Sequence, residues 1–124
     1  MLDGPADPDE FKNVSLIRED RLVGNMHLDA AIRYALSNYA RERMITKSLW
    51  NEIIVYASLQ RQVKKAFEFM GVKNYTGKII IVSSENLDGK DAKIGINNDK
   101  LTFWNIKDPL EILERMALFH SENL

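Results

Sequence analysis

The chain's only imidazoles are His27 and His120, and they limit what acid–base chemistry it can perform. Nucleophilic catalysis needs a nucleophile, a base and a group that orients the base. His27 with Asp29, or with the distant Ser83 or Ser84, could be drawn as a dyad, but nothing in the spacing asks for one. A place at a helix start or core edge suits His27 better, and His120 suits the negative end of a helix dipole. The acidic residues near the N-terminus are scattered, so no metal-ligand spacing emerges. Cysteine is absent, which removes thiolate ligands, disulfides and cysteine nucleophiles. The six glycines are isolated, so no phosphate-cradling loop is present. Glu52 is the one acid inside an apolar run. It is either a buried carboxylate with a raised pKa or, as preferred here, an exposed or paired acid at the start of an element. No catalytic residue, metal or cofactor is implied, and the expected role is non-enzymatic.

Recognition chemistry is better represented. Residues 1–29 carry seven acidic against three basic side chains, a net −4, whereas residues 33–65 carry seven basic against two acidic, a net +5. Such a basic middle third can attract a polyanion, and it equally describes solvated helix faces. Within it, Gln60, Arg61 and Gln62 fall at a junction ahead of a helix, where free backbone amides and a fixed cation favour anions. Amide side chains can reach unpaired base edges, and Lys64 and Lys65 extend the positive field. An ordinary polar turn stays open as the plainer reading.

These residues must be positioned by a small scaffold. At 124 residues the chain is expected to be one domain, residues 1–124, with residues 1–10 a frayed acidic lead-in. It has no apolar run long enough to span a membrane and no basic, apolar signal at the start, so a cytoplasmic protein is the default. Residues 9–14 are read as a helical turn, and residues 15–17 and 21–23 as brief β-prone pieces.

The clearest element is a helix over residues 26–43. Leu28, Ala31, Ile32, Ala35, Leu36 and Tyr39 mark one face of it, and Asn25 is its predicted N-cap. Residues 52–58 hold the β-branched cluster Ile53, Ile54 and Val55. They are read as a strand, although the spacing of Leu49, Ile53 and Tyr56 also fits a helix. A helix over 61–70 is expected to close on a left-handed Gly71. The run 78–83 then reads as a strand buried on both faces, completing a parallel β-α-β unit. A polar loop with an Asp88-Gly89 turn follows, then a hairpin pairing 93–96 with 100–104 about Asn97-Asn98-Asp99. A final helix over 108–120 is announced by Asp108, Pro109 and Glu111 as a capping box, and carries more apolar surface than one stripe requires. The fold class expected is mixed α/β, a small mixed sheet packed with helices.

Residues 50–72 combine E-I-I-V-Y-x-S, an R-Q-V junction and a closing M-G-V, and the upstream helix reads H-L-D-A-A-I-R-Y-A-L. Together with the last helix, this pattern resembles the small regulatory subunit of the KEOPS complex, whose animal counterparts are the kinase-binding TPRKB proteins. The resemblance covers residues 22–124. It implies a subunit without an active site in a complex that makes the threonylcarbamoyl modification of the adenosine beside the anticodon in ANN-decoding transfer RNAs. It also implies docking on, and stimulation of, a small atypical kinase/ATPase subunit, indirect association with the other KEOPS subunits, and a hold on the 3′ CCA end of transfer RNA. By position, Gln60, Arg61, Gln62, Val63 and Lys64 would then face RNA, and Leu28, Ile32, Leu110, Leu113, Met116 and Ala117 the kinase. Two departures stand out. The family opens on a hydrophobic strand that residues 1–14 lack, and it often has a glycine just before the R-Q junction, where this chain has Ser58-Leu59. Two other readings remain: a ligand-binding domain or enzyme with a pocket near Glu52 and His27, and a protein–protein module without RNA binding.

Overall fold

The computed structural model describes residues 13–87 and 92–123. Among these, the chain runs β1 (Val14–Arg18), a 3-10 turn (Glu19–Arg21), α1 (Gly24–Ala40), α2 (Leu49–Ser58), α3 (Val63–Met70), β2 (Ile79–Ser83), α4 (Asn98–Trp104) and α5 (Glu111–Glu122). The two strands form an antiparallel sheet with Leu16 opposite Ile81. Helix α2 lies at the centre, packed on α1, α3, α5 and β1, while α1 also packs on α5. The mixed α/β class expected from the sequence is the class observed.

The central element is where the sequence reading fails. Residues 52–58 are helical, and all seven are buried. A helix covered on every side has no polar stripe, so its sequence is a continuous apolar run like that of a buried strand. Its start is set by Ser48, whose Oγ accepts from the Asn51 backbone N–H at 3.1 Å. Its end is set by Leu59 in the left-handed region at φ 56°. The β-α-β unit expected over residues 52–83 therefore does not form: β2 pairs antiparallel with β1 instead of parallel with residues 52–58. Nor is β2 buried on both faces. Ile80 and Val82 point inward while Ile79 and Ile81 are exposed, the alternation of a sheet wet on one side.

The expected hairpin is also absent, since residues 98–104 form α4. Asn97 acts as its N-cap, accepting from the Lys100 backbone N–H at 3.0 Å. The same short polar side chains that favour turns also cap helices. Helix α4 is pinned to the 3-10 turn by buried Lys100, which donates to Glu19 Oε2 and to the Gly95 carbonyl, both at 2.7 Å. Burial alone would raise the Glu19 carboxyl. Lys100, the Gly95 N–H and Lys78 outweigh it and hold the group below the usual carboxylate range.

Smaller corrections follow the same logic. Helix α1 starts at Gly24, with φ +73°, where an added Cβ would meet the Ile96 side chain at 3.0 Å. Asn25 is not its cap. Its side chain ties the loop 92–94 to α1, accepting from the Ile94 N–H and donating to the Ala92 carbonyl. Gly71 lies in extended backbone at φ −74°, ψ 171°, not in the left-handed region. Residues 21–23 are not a strand, whereas residues 15–17 lie within β1, which places a strand ahead of α1. Val14 belongs to β1 and Asn13 before it is left-handed at φ 63°, so the turn read over 9–14 does not extend to either, and residues 9–12, like Asp88-Gly89, lie outside the described residues. The expected capping box forms only in half. Helix α5 starts at Glu111 with Leu110 as its N-cap, so Asp108 and Pro109 lie ahead of the helix. There Glu111 Oε2 accepts from the Asp108 N–H, and Asp108 Oδ1 accepts from the Leu110 N–H instead of that of Glu111.

Candidate functional site

Helices α1 and α5 leave a groove of about 500 Å³ between them. Ala30, Arg33, Tyr34, Ser37 and Arg41 line it from α1, and Leu113 and His120 from α5. The α1 residues follow steps of three and four along one helical face, and Leu113 and His120 lie two turns apart on α5. The groove thus has an apolar floor and a basic rim. Arg33 pairs with Asp29 at 2.8 Å yet remains 77% exposed, and among the described residues Arg41 has no carboxylate partner.

Behind His120 a polar chain runs into the core. Asn38 Nδ2 donates to Tyr56 Oη at 2.9 Å and to Glu52 Oε2 at 3.0 Å. Tyr56 Oη is in turn hydrogen-bonded to His120 Nδ1, 2.7 Å away. Tyr56 also stacks on Tyr34 at 5.3 Å, and burial raises its phenol above the ordinary value.

Glu52, at the far end of this chain, is fully buried. The preferred reading of it as exposed or charge-paired is corrected. Its carboxylate accepts from Asn38, from the Ile45 and Thr46 backbone N–H groups, and from Thr46 Oγ1. Four donors replace the water it lost, which is how a polar group survives burial. The result is a staple that holds the α1–α2 connection against α2. His27 is equally sealed. Its Nδ1 accepts from the Val23 N–H at 2.9 Å and its Nε2 donates to the Ala57 carbonyl at 2.8 Å. Burial drives its pKa down to about 4. The pocket near Glu52 and His27 considered in the ligand-binding reading is thus filled by the protein's own hydrogen bonds. Among the described residues no three His, Asp or Glu side chains gather as a metal site.

The six residues assigned to a kinase by position divide into two sets. Leu28, Ile32 and Met116 are 0%, 1% and 0% exposed and hold the helices together. Leu110 is 55% exposed, Ala117 is exposed, and Leu113 is half-buried at the groove. The surplus of apolar residues on the last helix is real, since Leu118 is 66% exposed as well. The sequence reading did not single out Arg33, Tyr34, Ser37 or Arg41. Their spacing along one face of the best-defined helix was the available signal, masked because polar residues on a helix ordinarily face water.

The five residues assigned to RNA lie together at the α2–α3 junction, which joins two helices and not a strand to a helix. Arg61, Gln62 and Lys64 are exposed, while Gln60 and Val63 are half-buried. Gln62 stands at the N-cap of α3 without a side-chain cap bond. The turn is made by Leu59 in a left-handed conformation that glycine adopts at less cost.

No helix of the described residues is long and apolar enough to cross a membrane. Among curated proteins, none matches the chain. A family model described as kinase binding protein CGI-121 matches residues 6–113, which span most of the described fold, including α1, the α2–α3 junction and the start of α5. The chain belongs to the CGI-121 family of kinase binding proteins.

Proposed function

We propose that the chain is a non-catalytic adaptor subunit of the KEOPS complex that docks on the small atypical kinase/ATPase subunit, stimulates it, and helps hold transfer RNA by its 3′ end. The observation that carries this reading is membership of a kinase-binding family. The groove between α1 and α5, flanked by exposed Leu110 and Ala117, is the docking face it favours, because apolar side chains left in water gain most from being covered. For RNA, the support is local chemistry: exposed Arg61, Gln62 and Lys64 beside the first amides of α3. The cytoplasm is the setting in which kinase and transfer RNA would both be met.

Co-purification of the tagged full chain from its native source tests the reading. A small kinase recovered in stoichiometric amount is the expected result. Recovery of a bound metabolite without a kinase would favour the ligand-binding alternative and overturn the adaptor.

A further inference from the structure

We infer that the groove between α1 and α5 receives an acidic helical segment of the kinase partner, an inference that rests on the adaptor reading and adds the chemistry of what is bound. The first argument is shape. The α1 wall from Ala30 to Arg41 covers twelve residues, a rise of about 16 Å, which matches three turns of a docked helix. A furrow between two helices is what an amphipathic third helix fills, laying its apolar stripe on the floor and its polar flank on the rim.

Charge supplies the second argument. Arg33 and Arg41 stand two turns apart on the same wall, about 12 Å; Arg33 already shares its charge with Asp29 at 2.8 Å, whereas Arg41 has no carboxylate partner among the described residues. Covering such a rim with a neutral or basic surface would strip water from cations without replacing it, which is costly. A segment with carboxylates two turns apart pairs with Arg41 and reaches the exposed Arg33 guanidinium alongside Asp29, and His120 Nε2 on the opposite wall has no hydrogen-bond partner among the described residues. The floor argues against a nucleic-acid strand. Ala30 and Leu113 offer nothing to a base, and the Tyr34 ring already packs on Tyr56 and His120, at 5.3 and 4.6 Å, so it is poorly placed as a stacking platform.

Calorimetric titration of the full chain with the purified kinase subunit, at low and high salt, tests this. Wild type should bind and weaken with added salt. Arg41→Glu should weaken binding about tenfold or more, Arg33→Glu should do the same, and Arg41→Lys should stay near wild type. Both arginines are exposed, so these variants should keep the wild-type circular dichroism spectrum. Arg61→Glu, at the other surface, should leave kinase affinity unchanged. If wild type binds no kinase, the adaptor reading and this inference both fall. Should wild type bind while both charge reversals bind as tightly, the inference alone is overturned. Charge reversals that spare the kinase but abolish binding of a single-stranded RNA oligonucleotide would also overturn it, assigning the groove to RNA.

Discussion

Tyr56 Oη and Nδ1 of His120 share a hydrogen bond of 2.7 Å that joins the central helix α2 to the last helix α5. The bond orients His120 in the groove wall and continues through Asn38 to the buried Glu52 carboxylate. One polar chain therefore holds both the docking groove and the α1–α2 connection in place.

Tyr56→Phe keeps the ring and its stacking on Tyr34 but deletes the hydroxyl. The loss should cost about 1–2 kcal/mol in urea unfolding, since one Asn38 donor contact and the His120 bond disappear inside the core. Hydrogen exchange should accelerate in the last turns of α5. Wild-type stability and exchange in the variant would mean that the chain of bonds positions nothing.

Glu52→Gln is isosteric yet replaces an acceptor-only group with one that also donates. Its new NH₂ must face donors from Thr46 or from Asn38 and the Ile45 N–H. A loss of about 2–4 kcal/mol is expected, with faster proteolysis between residues 41 and 48. A variant as stable as wild type would show that the four-donor staple does not hold the connection.

Stability should fall on mild acidification. The folded value of His27, about 4, lies below its ordinary 6.5, so the unfolded chain takes up a proton first as pH falls. The stabilisation is complete above about 6.5 and is lost between there and about 4, amounting to about 3 kcal/mol. Glu19 adds to the acid side, because a carboxyl held low stabilises above the usual carboxylate range and ceases to do so as pH falls through its folded value. Urea melts across this window should show the decline, with a smaller slope in His27→Asn. A flat profile would contradict the sealed, neutral state of His27.

At the α2–α3 junction, Arg61→Ala with Lys64→Ala should leave the fold intact, since both side chains are exposed. Binding to transfer RNA should weaken, and the slope of log affinity against log salt should shrink by about 1–2 as fewer counterions are released. Unchanged affinity and slope would remove the junction from any RNA site. A chain that binds the kinase but no RNA at all would be a protein–protein module.

What could be read from the residues depended on how each was buried. Helix α1 was legible because it has a wet and a dry face, so its apolar residues repeat at helical spacing. Helix α2 was not, because burial on all sides erased that period and left three β-branched residues as the strongest local signal; Ser48 as its cap was the evidence overlooked. Around Asn97, cap and turn chemistry use the same side chain, and only the contacts of Lys100 with Glu19 and Gly95, remote in sequence, distinguish them. The α2–α3 junction could be named as a unit because its residues are consecutive. The groove could not, because it is assembled from two helices more than seventy residues apart in the chain, and only packing reveals that Arg41 and His120 line the same groove from opposite walls.

Kinase binding by Leu110→Glu combined with Ala117→Glu tests the central claim most directly. Both side chains are exposed beside the groove, so the variant should fold as wild type does while presenting two carboxylates where an apolar and acidic partner must approach. The account predicts that the complex with the kinase subunit is lost in titration calorimetry. A complex of wild-type affinity would place the docking face elsewhere and contradict the account.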